Sequence, residues 1–213
     1  MNSAIKEKLI EIAKERISND DISHDLEHTL RVLSNAENIS KIEGGDLEVI
    51  IPAALFHDLI VYPKNHKDRY KSQEESAEQA GLILKSLKEF PEEKIEKVKI
   101  CILQCSFSKG IMPEMLESKI LQDADGLEAT GAISIMRTFA SSSQMKRIFY
   151  DPKDPFCKTR EPSPFEYGID VFYSILFKAT DKMHTKTAKE ISIRRTKFLV
   201  SFLDELKLEL EGK

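Results

Sequence analysis

No apolar run in this chain of 213 residues approaches the roughly 18 residues that suggest a membrane span. The start, MNSAIKEKLIEIAKER, alternates charge with hydrophobicity and lacks the continuous apolar centre of a signal peptide. Cysteine is sparse. Cys101, Cys105 and Cys157 form an odd set with no CxxC spacing, which argues against a disulfide framework and for a reducing cytoplasm. Positive charge is not in excess: 32 Lys and Arg stand against 36 Asp and Glu, a net charge of −4, so neither nucleic acid nor an anionic membrane is expected as a partner. Alternation of period two, an Asn-Gly hairpin signal and an internal repeat are also lacking, which turns the reading away from sheets and repeat arrays.

What remains is helical. An apolar share of 41% is enough for a core, and 32% charged residues give an ordinary soluble surface. Ile5, Leu9, Ile12 and Ile17 lie near one helical face, and Leu26, Leu30, Leu33 and Ala36 repeat the pattern over about 23–40. Residues 46–60 are apolar nearly all round, as in a buried helix, and Pro52 predicts a kink or a start there. Ser72 followed by Glu75 reads as a capping box opening a helix towards Phe90. Further helices are expected near 91–106, 113–124, 127–140, 164–182 and 185–211. Residues 150–164, YDPKDPFCKTREPSP, hold four of the eight prolines and predict a long irregular loop. The expectation is an all-α, single-domain bundle over 1–213, with a core at about 20–130 on which C-terminal helices at about 164–211 pack.

The chemistry concentrates in three segments. SHDLEHTLRV carries His24, Asp25 and His28; LEVIIPAALFHDL closes on His57 and Asp58; KILQDADGLEATGAI carries Asp123 and Asp125. Nitrogen and oxygen donors from three segments suit one divalent ion. Taken singly, these residues have plain structural readings: a histidine held by hydrogen bonds, a capping aspartate, a solvated pair. The ordered set H…HD…D is more specific than its parts.

With the stretches EGGDLEVIIPAALFHD, YPKN, CSFSKG, KILQDADGLEATGAISIMRTF and MHTKTAKEISIRRTKF, the chain resembles the HD-domain superfamily of metal-dependent phosphohydrolases over roughly residues 20–200. It is most similar to a branch of small stand-alone bacterial proteins that includes nucleoside-triphosphate pyrophosphohydrolases. The resemblance implies a helical HD bundle, with His28, His57, Asp58 and Asp125 as ligands to one divalent ion. Manganese is favoured among Mn, Fe, Co, Ni, Zn and Mg. Three positions depart from the branch: Cys105 stands where relatives carry His, DADGLEA places Gly126 and Glu128 where relatives carry a basic residue and Asp, and Val61 stands where a nucleotidase branch has glutamate.

Around the ligands, Asp123 and His24 are the candidates to take a proton from water. Lys64 is the candidate to stabilise the departing phosphate, with Arg31, His66 and Cys105 as substrate contacts. A capping role for His24 and a solvated charged loop at 64–66 are the structural alternatives. The expected substrate is a small phosphate compound, a nucleotide by resemblance, and a homodimer is compatible with the chain. A nucleoside monophosphate phosphatase and a nucleotide- or metal-sensing module without turnover are the rival readings.

Overall fold

Helices form where apolar residues recur at the helical period. Nine are present among the described residues of the computed structural model, which are 1–18, 21, 23–62, 66–106 and 110–213. They are α1 (Ser3–Arg16), α2 (Leu26–Glu43), α3 (Leu47–Phe56), α4 (Ser72–Ser86), α5 (Ile95–Leu103), α6 (Leu116–Gly126), α7 (Gly131–Gln144), α8 (Asp170–Ser174) and α9 (Lys186–Leu210). Only an isolated bridge between Ile148 and Tyr167 breaks the all-α pattern among these residues. The chain divides into two compact units, Met1–Asp125 and Gly126–Lys213.

In the first unit α3 is the central element. Val49 to Phe56 are all buried, and α3 packs against α1, α2, α4 and α5. Burying a Leu, Ile or Phe side chain contributes about 1.5–3 kcal/mol, so this ten-residue helix anchors the unit. It starts at Leu47, five residues before Pro52, because Asp46 caps it by accepting the Glu48 N–H at 2.9 Å. Lys94 pins that end from α5's approach, 2.7 Å from Asp46 and 2.5 Å from Glu48. The turn between α2 and α3 needs glycine: Gly45 has φ +96, and a Cβ there would stand 2.9 Å from the Ile50 side chain.

Three expectations fail here. Helix α3 ends at Phe56, so His57 is its C-cap and Asp58 lies beyond the helix instead of inside it. Ser72 and Glu75 form no capping box: Ser72 Oγ donates back to Arg69 O, and Glu75 accepts the Tyr62 hydroxyl at 2.7 Å. Helix α4 also stops at Ser86, where Leu87 turns extended, and does not reach Phe90.

The second unit has its own core of Ile169, Val171, Phe172, Leu176, Leu199 and Leu203, with Phe172 and Phe202 stacked 5.7 Å apart. The helix expected over 164–182 is broken. Helix α8 has five residues and is followed by single 3-10 turns at Leu176–Lys178 and Thr180–Lys182. The irregular stretch expected at 150–164 is present and is pinned by Arg160, whose guanidinium pairs with both oxygens of buried Asp170.

Candidate metal centre

Three helix ends deliver the donors. Asp25 is the N-cap of α2 and accepts the His28 N–H at 2.8 Å, which sets His28 in the first turn. His57 terminates α3, and its Nδ1 donates to Ala54 O at 2.8 Å, satisfying one of the carbonyls left over at a helix end. A carbonyl only accepts, so that bond places a proton on Nδ1 and leaves Nε2 as the nitrogen that faces Asp58. Asp125 lies in the last turn of α6, which Asn35 ties to α2 by donating to Ala124 O at 3.2 Å.

The resulting distances are those of groups sharing something between them. His57 Nε2 is 3.5 Å from Asp58 Oδ2, and His28 Nε2 is 3.7 Å from Asp58 Oδ2 and 3.6 Å from Asp125 Oδ1. Ligands about 2.1 Å from one ion stand about 3–3.5 Å from their neighbours. The buried Nε2 of His57 makes no hydrogen bond, which fits a nitrogen reserved for a cation. His28, His57 and Asp125 each offer a ligand atom within 4.8 Å of the others, so this group can bind one divalent ion. Asp58 stands against both imidazoles. Burial pushes its carboxyl up, but His57, His28 and His24 outweigh burial and hold it well below the usual carboxylate range.

The other expected residues distribute unevenly. His24 is near: its ring centroid lies 5.6 Å from that of His28. Its Nδ1 donates to Asp21 Oδ2 at 2.9 Å, while Asp25 caps α2. Asp21 was not anticipated, and the signal was an acid three residues before a histidine. Asp123 is fully buried, and two residues on a helix turn its side chain about 200° from that of Asp125. Arg31 is half-buried on α2, one turn beyond His28.

Cys105 is buried just past α5. Its thiol is pushed well above the ordinary range by burial and by the charges of Asp125 and Asp58, so it brings no charge of its own. His66 stacks on Tyr62, and its Nδ1 accepts the Asp68 N–H at 3.1 Å. Lys64 lies outside the described residues. No helix among the described residues is long and apolar enough to cross a membrane.

The HD domain family model matches residues 25–130. A solved HD-superfamily hydrolase from Bacillus thuringiensis is 30% identical with a TM-score of 0.76, over 99% of this chain and 98% of that one. A solved protein from Listeria innocua is 31% identical with a TM-score of 0.71 and the same coverage, 99% and 98%. The uncharacterized protein YpgQ from Bacillus subtilis (strain 168) is 28% identical over 202 residues, 92% of this chain and 89% of YpgQ. YpgQ has been solved in complex with ADP, a structure similar to this one at a TM-score of 0.71 and 24% identity over 96% of this chain and 94% of that one.

Proposed function

The chain belongs to the HD superfamily of metal-dependent phosphohydrolases, and we propose that it hydrolyses a nucleotide at a phosphoanhydride or phosphoester bond with one divalent ion held by His28, His57, Asp58 and Asp125. The observation that carries the ligand set is His57: one ring nitrogen is committed to the end of α3, and the other is buried without a hydrogen bond beside Asp58. The ADP complex of YpgQ supports a nucleotide as substrate class. Manganese is the proposed ion, on the strength of the family resemblance.

When bound, the ion supplies a more acidic water and neutralises charge on phosphoryl oxygens. His24 is the proposed proton acceptor. Its Nδ1–H is held by Asp21, so Nε2 carries the lone pair, and a base oriented by a carboxylate is the arrangement that general-base catalysis uses. Asp123 is proposed as a support for α6, since it is buried on the far side of that helix from Asp125. Arg31 and Lys64 are the proposed phosphate cations. Cys105 lines the carboxylate side of the site as a neutral thiol.

Turnover on a panel of nucleoside mono-, di- and triphosphates with Mn²⁺, Mg²⁺ or Co²⁺ tests this. Product release from the parent and its loss in Asp58→Ala are expected. Pyrophosphate from triphosphates identifies a pyrophosphohydrolase, and orthophosphate from monophosphates identifies a phosphatase. Tight nucleotide binding by the metal-loaded protein with no product would replace the enzyme by a sensing module.

A further inference from the structure

Tyr62 and His66 form a stacked ring pair, with centroids 4.8 Å apart and planes within 11°. The pair is fixed from both sides. The Tyr62 hydroxyl donates to Glu75 Oε2 at 2.7 Å, and that bond raises its pKa, keeping the hydroxyl protonated. His66 Nδ1 accepts the Asp68 N–H at 3.1 Å, and Asp68 in turn pairs with Lys71 at 2.9 Å. With Nδ1 engaged by the Asp68 N–H, His66 offers a flat ring face as its substrate contact. Its side chain is 40% exposed, so part of the ring is open to solvent.

The charge around the pair sets what can approach. Glu75 also lines a cleft of about 430 Å³ with Ile60, Lys71, Glu74, Glu78 and Gln79. This lies within the usual size range of small-molecule sites, about 300–1,000 Å³, but none of His28, His57 and Asp125 lines it. Lys71 is neutralised by Asp68 and Glu78 is held by Lys99 at 3.0 Å, so the surroundings stay acidic. A polyphosphate is repelled there; an uncharged aromatic ring is not. The opposite holds at the His57–Asp58 end, where a bound divalent ion attracts phosphate.

Reach is also right. Tyr62 follows Asp58 by four residues, a span of at most about 14 Å. The connecting chain is tied down where the Ile60 N–H donates to Ser76 Oγ at 3.0 Å. Phosphates at one end and a stacking surface at the other match the two ends of one nucleotide.

We propose that the Tyr62–His66 pair is the platform on which the nucleobase of the substrate stacks, with the acidic wall at Glu74 and Glu75 orienting the phosphates towards His57 and Asp58. The platform rests on the proposed nucleotide substrate. Calorimetric titration of the Mn²⁺-loaded full chain with ADP and with inorganic pyrophosphate separates base from phosphate. The parent binds ADP more tightly than pyrophosphate. Tyr62→Ala and His66→Ala each weaken ADP about tenfold, as expected for loss of a base-stacking contact, and leave pyrophosphate affinity and metal content unchanged. Tyr62→Phe, which keeps the ring, stays within about threefold of the parent. Equal parent affinity for ADP and pyrophosphate overturns the platform, as does unchanged ADP affinity in both alanine variants. If the platform variants lose ADP while the parent turns over no nucleotide, the platform stands and the hydrolytic reading falls. Turnover by the parent with unaffected alanine variants gives the reverse.

Discussion

Each unit of this molecule holds an aspartate largely out of solvent, Asp170 at 0% and Asp58 at 14% exposure, and the two are treated in opposite ways. In the second unit Asp170 is saturated by its own chain: Arg160 donates through both terminal nitrogens, and the Ser163 N–H adds a bond at 2.6 Å. Arg160 is itself occupied by Asp151, the Asp154 carbonyl and the Tyr167 ring. In the first unit Asp58 faces two imidazoles at 3.5 and 3.7 Å, and the His57 Nε2 makes no hydrogen bond. A buried charge completed by protein donors is structure. A donor set that brings His28, His57 and Asp125 within 4.8 Å of one another, with the His57 Nε2 making no hydrogen bond, can hold a divalent ion.

That contrast can be broken most severely at His57. The variant His57→Ala is expected to lose stoichiometric metal, and with it activity, while helical content by circular dichroism stays near the parent's. Full metal content in that variant would erase the distinction between the units. Next in size, Arg160→Met strands Asp170 in a buried setting. Breaking a buried pair costs about 3–5 kcal/mol, and the lower end applies because Arg160 is 22% exposed. Urea unfolding should show this loss with metal content intact; an unchanged midpoint would make the loop staple decorative.

A smaller effect follows from protonation. Burial pushes Asp170 up, but Arg160 and the Ser163 N–H outweigh it, so its folded pKa is lowered. A lowered folded pKa stabilises the protein above the unfolded value, about 3.9, and that contribution fades as pH falls through the folded pKa. Thermal midpoints should therefore fall steeply below about pH 4 in the parent, and less steeply in Asp170→Asn. Parallel curves would show that Asp170 does not carry the acid sensitivity. The smallest expected change is at Cys105. Beside Asp125 and Asp58 an imidazole is favoured in its charged form, so Cys105→His should raise kcat/KM severalfold at unchanged metal content; no change makes the position purely structural.

Much of this was legible beforehand, for identifiable reasons. The apolar periods around Leu9, Leu33 and Ala36 mark faces that are buried, since burial follows the helical repeat whatever the partner. The order H…HD…D marks the segments that bring His28, His57 and Asp125 within 4.8 Å of one another, because metal chemistry restricts residue type strongly. Other features escaped. Glu75 looked like half of a capping box, but a carboxylate takes the strongest donor within reach, and tertiary contact supplied the Tyr62 hydroxyl. The segment 164–182 has helical periodicity, yet its strongest anchors are non-local: Asp170 bonds to Arg160 ten residues back, and the chain breaks into short turns around that pair. Asp21 is marked only by its place three residues before His24, and a loop acid shows its partner only once the chain folds.

By itself, then, the sequence determined the all-α class, the donor types and the absence of a membrane-spanning apolar run. These depend on composition and periodicity, which are local. Only the tertiary structure decided that α3 stops at Phe56, so that its leftover carbonyl takes the His57 Nδ1–H and frees Nε2 beside Asp58. It also decided that His66 stacks on Tyr62 and that Asp123 is fully buried. Direction is not encoded in residue type; it comes from where helices end and from which distant group reaches each polar atom first.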